Sequence, residues 1–311
     1  MDYLILALGL IVLIFSGELL VRSAVGLALK LNVSPMVVGL TVVSFGTSAP
    51  ELLVSLQAAM EGRSAIAMGN VVGSNIANLG LVLGLTAMVM PLAIVRKTIR
   101  FDWPVLFGIS LLLVGLVWFD LRVDWYDGVA LLVLIVTYLV FLFKTSQADE
   151  VVGEVSELEG ESNKSFYWLL AILALGCIGL VFGSDWFLGG ATSIAEDMGV
   201  SDHVIGVTLV AFGTSVPELV TSLVAAFRKQ TDISIGNLIG SNIFNICVVL
   251  GITSLVHPVE LAESVVTSDL MWMLGFTFII LPFMLTGKKI SRWEGVILAA
   301  GYVSYVVFVL R

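Results

Sequence analysis

The chain has 311 residues, 59% of them hydrophobic and 13% charged, with a mean hydropathy of +1.07. Soluble domains carry about 25% charged residues, so this composition excludes a water-soluble globular protein and defines an integral membrane protein. The net charge of -9 speaks against a nucleic-acid partner, and the two cysteines, Cys177 and Cys247, lie inside apolar runs and read as buried small hydrophobes, not as a disulfide.

In chain order, apolar runs of about 20 residues fall near 3–29, 33–60, 65–90, 100–119, 124–143, 166–195, 200–227, 232–257, 267–285 and 291–310. Each suffices to cross a ~30 Å hydrocarbon core as a helix, which predicts ten transmembrane helices. The first lacks a basic leader and a small-residue cleavage site, so it is expected to be retained. The second and seventh each hold a proline and an acid, in GTSAPE (46–51) and GTSVPE (213–218). The third and eighth carry NVVGSNIANLGLVLGLT (70–86) and NLIGSNIFNICVVLGIT (237–253). Between the fifth and sixth lies KTSQADEVVGEVSELEGESNKS (144–165), an acidic, solvated linker. With alternating helices, all Lys and Arg except Arg63, Arg122 and Arg311 fall on one side. The positive-inside rule makes that side cytoplasmic and both termini extracellular.

The paired motifs are related by one shift, since 218 − 51 = 167, and about half of the residues from 33 to 86 recur at that offset. The register extends outward: Glu18 pairs with Asp185, Asp127-Gly128 with Glu294-Gly295, and Tyr138 with Tyr305. Five helices per half is an odd number, so the second half inserts upside down. The predicted fold is an all-α membrane protein of two inverted five-helix repeats, 1–143 and 166–311, with broken helices at a site near the midplane.

Backbone chemistry explains the prolines. Pro50 and Pro217 have no N–H to return to the carbonyls of Gly46 and Gly213, so the helices break there. A freed carbonyl survives in a membrane only where protein, water or an ion satisfies it. Helical spacing puts Thr47 and Ser48 on the face of Glu51, and Thr214 and Ser215 on the face of Glu218; Ser74 lies one turn from Asn78, and Ser241 one turn from Asn245. Hydroxyls, amides and two acids make an oxygen cage of the kind hard cations take. The glycines nearby, Gly39, Gly46, Gly69, Gly73 and Gly80 with Gly206, Gly213, Gly236 and Gly240, are expected to let helices approach closely. Glu18 and Asp185 suit structural or pathway-lining roles, Asn70 and Asn237 suit helix-to-helix bonding or ligation, and Thr41, Thr208, Ser55 and Ser222 suit packing. His203 and His257 fall near helix ends and read as interfacial.

These doubled boxes, G-T-S-x-P-E and G-N-x-x-G-S-N-I-x-N, resemble the two alpha-repeats of the sodium/calcium exchangers in the calcium/cation antiporter superfamily, over essentially the whole chain. The resemblance implies a plasma-membrane antiporter that exchanges Na⁺ for Ca²⁺ by alternating access, with no cofactor and no enzymatic activity. The ligands it implies are Thr47, Ser48, Glu51, Ser74 and Asn78 from the first repeat and Thr214, Ser215, Glu218, Ser241 and Asn245 from the second, with the backbone carbonyls of Ser44 and Ala211. The chain departs from the family pattern at Asn245, where calcium exchangers generally carry Asp, and its linker is too short for the folded calcium-sensing domains of animal exchangers. Two carboxylates make exchange electrogenic if the sodium load exceeds the calcium charge. The alternative is a proton/calcium antiporter using the same two glutamates. A membrane hydrolase finds no histidine or lysine base on the faces of Ser48 or Ser215, and a passive cation channel differs in needing no counter-ion.

Overall fold

The computed structural model describes residues 1–145, 164–200 and 211–310. Most of the acidic linker lies outside the described residues, as do Gly206, Thr208, His203 and part of the expected span 200–227. The described residues contain eight helices long and apolar enough to cross a membrane, or nine when the bent pair Pro35–Thr47 and Ala49–Met60 is taken as one span.

The first half begins with a long helix, α1 (Asp2–Leu31), followed by the short segments α2 (Pro35–Val38) and α3 (Ser44–Thr47) on either side of a π turn, Gly39–Val43. Then come α4 (Ala49–Met60), α5 (Ser64–Ala77), a second π turn (Asn78–Val82) and α6 (Leu83–Val89). Strand β1 (Leu92–Ala93), a π turn (Thr98–Asp102), α7 (Trp103–Asp120), strand β2 (Arg122–Val123) and α8 (Trp125–Thr145) complete it. The second half repeats the order with α9 (Phe166–Asp197), α10 (Ala211–Gly213), α11 (Val216–Phe227), α12 (Thr231–Phe244), a π turn (Asn245–Val249) and α13 (Leu250–Val256). Strand β3 (Val259–Glu260), a π turn (Val265–Asp269), α14 (Leu270–Leu285), strand β4 (Lys289–Ile290) and α15 (Arg292–Val309) close it.

The repeat is therefore structural as well as sequential. Adding 167 to the bounds of α4, α5 and α6 gives those of α11, α12 and α13, and the π turns at 78–82 and 98–102 map onto 245–249 and 265–269. The short strands obey the same rule and pair crosswise: β1 lies antiparallel to β4, and β2 to β3. Each half thus clasps the other twice, outside the helical spans. These two-residue pairs are the sole departures from an all-helical fold among the described residues.

Small residues set how the halves meet. α1 and α9 run antiparallel along their length, and a Cβ added at Gly9 would collide with the backbone of Phe187 and Gly183, while one at Gly176 would press on Ser16 and Leu20. These contacts are also related by 167, since 9, 16 and 20 map onto 176, 183 and 187. In the bundle, Gly39 and Gly236 face each other so closely that a Cβ on either meets the partner's backbone. By the same offset the pair matching Gly39 and Gly236 is Gly206 and Gly69, and Gly206 lies outside the described residues. The core follows the same division. One apolar cluster joins α5 to α8 with α12 to α15, and a second runs along α1 with contributions from α9 and α11.

Candidate functional site

Both GTSxPE boxes break a helix, the first at Ser48 and the second at Thr214 and Ser215. Ser48 (φ -85°, ψ 6°) and Ser215 (φ -88°, ψ 4°) leave the helical region, and the next helices, α4 and α11, start with Pro50 and Pro217 in their first turn, where a missing N–H costs nothing. The two parts of the first break are bent by 44°. The carbonyl of Gly213 is taken by the hydroxyl of Ser184 on α9, which donates at 3.0 Å. The first half has Gly17 at the position matching Ser184 and offers no such donor there.

Glu51 and Glu218 stand in the first turns of α4 and α11, where unpaired N–H groups and the helix dipole favour a carboxylate. Both are fully buried, and their charges lie close enough to repel. Ser48 donates to Glu218 Oε1 at 3.3 Å, and the hydroxyls of Thr47 and Ser241 also face this carboxylate. Among the described residues, nothing donates to the other oxygen of Glu218 or to either oxygen of Glu51.

The remaining groups close around these acids in pairs that cross between the repeats. Thr47 Oγ1 lies 3.2 Å from Ser241 Oγ, and Ser74 Oγ lies 3.2 Å from Thr214 Oγ1. Thr47 donates to Asn237 Oδ1 at 3.0 Å, and Thr214 to Asn70 Oδ1 at 3.4 Å. Asn70 and Asn237 are then held from behind, donating to Ser55 at 2.9 Å and Ser222 at 3.2 Å, and Asn70 also donates to the Glu51 carbonyl at 3.1 Å. These asparagines are hydrogen-bonded posts between broken helix and neighbouring helix, and Ser55 and Ser222 are their seats. The Gly39 to Gly236 contact is what allows this reach, since it brings Ser44 Oγ within 3.0 Å of the Asn237 carbonyl.

Of the expected residues, Thr47, Ser48, Ser74, Thr214, Glu218 and Ser241 are thus joined across the repeats, and the others are bonded differently. Ser44 spends its hydroxyl on backbone carbonyls, and its own carbonyl accepts the Ser48 N–H at 2.9 Å. Asn78 donates to Asn242 Oδ1 at 3.1 Å and keeps its own Oδ1 unpartnered. Ser215 Oγ and both amide atoms of Asn245 are buried and unpartnered among the described residues. Ala211 opens the short helix before the second break. Asn78 and Asn245 each begin a π turn, a widening of the helix that recurs at functional sites.

Sequence reasoning passed over Asn75 and Asn242, which exchange reciprocal bonds, each amide donating to the other's backbone carbonyl at 3.3 Å. Their recurrence at the 167-residue offset inside both GSNI boxes was the available signal. Glu18 is tied to Arg22 at 2.5 Å and bound by the guanidinium of Arg228, whereas its counterpart Asp185 makes no ion pair among the described residues. Cys177 and Cys247 are free thiols, and His257 is exposed at the end of α13, 2.9 Å from the Pro258 carbonyl.

The donor set is all oxygen, with two carboxylates, hydroxyls and amide carbonyls, and among the described residues no cluster of three or more His, Cys, Asp or Glu exists. That chemistry suits hard cations and not thiolate- or imidazole-seeking metals. A helical membrane bundle whose two halves bury these oxygen groups and bond them to one another has the character of a cation transporter.

The comparisons agree. The family model described as "Sodium/calcium exchanger protein" matches residues 1–144 and 168–311, and the chain belongs to this family. It is 35% identical to the sodium/calcium exchanger MaX1 of Methanosarcina acetivorans, covering 98% of this chain and 97% of that one. It is 37% identical to the putative antiporter CaxA of Alkalimonas amylolytica, covering 96% and 95%. Among solved structures, the sodium-calcium exchanger NCX_Mj soaked with zero Na⁺ and Ca²⁺ superposes with a TM-score of 0.84 at 33% identity, covering 100% of this chain and 99% of that one. Family and fold are those of cation/Ca²⁺ antiporters, proteins of the membrane and not enzymes.

Proposed function

We propose that this chain exchanges Na⁺ for Ca²⁺ by alternating access, as a ten-helix antiporter built from two inverted repeats, 1–143 and 166–311, joined by the cytoplasmic linker 144–165. The tenth span follows from the repeat: Val216–Phe227 corresponds to Ala49–Met60, so with the residues before the break it is the counterpart of the bent pair. The cargo ligands are Thr47, Ser48, Glu51, Ser74, Asn78, Thr214, Ser215, Glu218, Ser241 and Asn245, with the carbonyls of Ser44 and Ala211. The protein sits in the plasma membrane with both termini outside, and needs no cofactor.

One observation carries this reading. Among the described residues, two fully buried glutamates leave three carboxylate oxygens unpartnered, and the side-chain oxygens of Asn78, Ser215 and Asn245 are buried and unpartnered as well. An isolated carboxylate in an apolar medium is expensive, and a divalent cation neutralises two of them at once. The hydroxyls and amides beyond the two acids supply further cation positions, which favours sodium over protons as counter-ion. The test is radioactive calcium uptake into proteoliposomes under sodium, proton or potassium gradients in turn. Sodium alone should drive it. Uptake driven by protons without sodium would establish the proton antiporter instead, and uptake that needs no counter-ion would make the protein a channel.

A further inference from the structure

Asn78 and Asn245 occupy matching places, and the two are held differently. An amide presents either its oxygen or its amino group to a neighbour, depending on a 180° flip, and only the oxygen can bind a cation. Asn78 Nδ2 is gripped by Asn242 Oδ1 at 3.1 Å, which turns Asn78 Oδ1 away from that bond. Asn242 is itself fixed, because its Nδ2 donates to the Asn75 carbonyl at 3.3 Å. That carbonyl already takes the N–H of Asn78 at the edge of the π turn, so both its lone pairs are used. Asn242 is 1% exposed, and water does not compete for these bonds. In the matching place Asn75 donates to the Asn242 carbonyl and contacts Met273 Sδ at 3.7 Å, while its Oδ1 and both atoms of the Asn245 amide stay unpartnered among the described residues. Among them, Asn245 therefore has no flip lock.

We propose that Asn242 is a positioning residue for the cation site: by holding the Asn78 amino group it fixes the Asn78 carbonyl oxygen as a ligand, while Asn245 is left free to turn. The proposal rests on the exchange reading only in taking the buried space as a cation site. Asn242 touches no cargo and acts through Asn78. Its removal leaves the space and both carboxylates intact and lets the Asn78 amide flip, turning an attractive oxygen into a repulsive amino group.

The experiment uses the full chain in detergent with calcium chloride as probe, reading the calcium concentration that gives half-maximal thermal stabilisation. Asn242→Ala should raise it about tenfold, the scale of one buried hydrogen bond. Asn75→Ala is the matched control. It removes a reciprocal bond of the same length and keeps the backbone carbonyl that anchors Asn242, so it should lower the unfolding midpoint without moving half-saturation more than about twofold. In an Asn78→Asp background Asn242→Ala should carry no penalty, since a carboxylate offers an oxygen in either orientation and has no N–H to be gripped. Asn242→Ser, which leaves a small hydroxyl acceptor, should move half-saturation in the same direction by less, and decides the question if the alanine chain does not fold. Equal shifts from Asn242→Ala and Asn75→Ala, or an undiminished tenfold loss in the Asn78→Asp background, would overturn the positioning role alone. A wild-type chain stabilised by neither calcium nor sodium would overturn the site itself and this role with it.

Discussion

Replacing Glu51 with Gln separates a cargo ligand from a structural acid, because the two roles predict opposite signs without calcium. Both Glu51 oxygens are buried and unpartnered among the described residues, and Glu218 repels them. In sodium-free buffer with chelator, Glu51→Gln removes one member of a like-charged pair and should raise the unfolding midpoint. With calcium the sign reverses. Removing one member of a buried charged set typically costs about 3 to 5 kcal/mol. At a calcium concentration 100 times its dissociation constant, wild type gains ~2.7 kcal/mol. A loss of ~3 kcal/mol in affinity reduces that gain to below ~0.4 kcal/mol, and the calcium-induced shift should all but vanish. The assay is differential scanning fluorimetry of purified protein with and without calcium, paired with uptake into proteoliposomes. A midpoint that falls in chelator, with a calcium shift equal to that of wild type, would show that Glu51 is a hydrogen-bonded structural acid and would sink its assignment to the cage.

Ser184→Ala removes the donor to the Gly213 carbonyl that Pro217 leaves without a helical partner, and should lower the unfolding midpoint by about 2 °C for a loss of ~1 kcal/mol; an unchanged midpoint would mean that another donor takes its place. On the proposed reading one Ca²⁺ would neutralise Glu51 and Glu218, so Asn245→Asp, which adds a third carboxylate, should strengthen apparent sodium affinity more than calcium affinity, read from voltage-clamped sodium-driven uptake; an unchanged sodium half-saturation refutes the charge argument. Single cysteines at Glu61 and Lys229, in a chain lacking Cys177 and Cys247, should label from outside and inside respectively, and labelling from one common side would overturn the inverted topology. At the turn between α7 and α8 the Arg122 guanidinium bonds Asp124 and holds its carboxyl below the usual range, so the stability it adds is present above about pH 3.9 and is lost as pH falls through the depressed folded value. Midpoints of wild type and Asp124→Asn should therefore differ above about pH 3.9 and converge as pH falls below it, and a constant difference would exclude the linkage.

Most of the candidate site was legible because its residues recur. The offset that joins Glu51 to Glu218 also carries helix bounds, π turns and strands, so a pattern read on letters passed unchanged into geometry. The proline breaks were legible for a different reason: a missing N–H is a local fact that no tertiary contact restores. What stayed hidden depends on reach between distant elements. Glu18 and Arg228 are 210 positions apart and follow no period, so their bond comes only from how α1 lies across the end of α11. Ser184 caps Gly213 although its counterpart Gly17 has no side chain, so the repeat itself pointed away from it. The π turns shift the hydrogen-bond register by one residue, and hydrophobic periodicity does not resolve so small a change.

The two halves match in residues and differ in bonds, and that difference bears on how an inverted repeat works. Thr47 with Ser241 and Ser74 with Thr214 are bonded alike. Ser48 is bonded to Glu218 while Ser215 is not bonded to Glu51, and Asn242 grips Asn78 while Asn75 does not grip Asn245. If the halves exchange roles in alternating access, the structure realises one of two arrangements, and the other would move each of these bonds to its counterpart at the 167-residue offset. The bonds just named can be exchanged in this way, because each has the same residue types waiting on the other side. The ion pair of Glu18 with Arg228 cannot, since the corresponding residues are Asp185 and Glu61, both acids. A partly exposed pair contributes at most about 1 kcal/mol, roughly a fivefold ratio of populations. On the proposed alternating-access reading the cage chemistry is symmetric enough to serve both faces, and the bias between the arrangements would be set at the rim, by residues the repeat does not match.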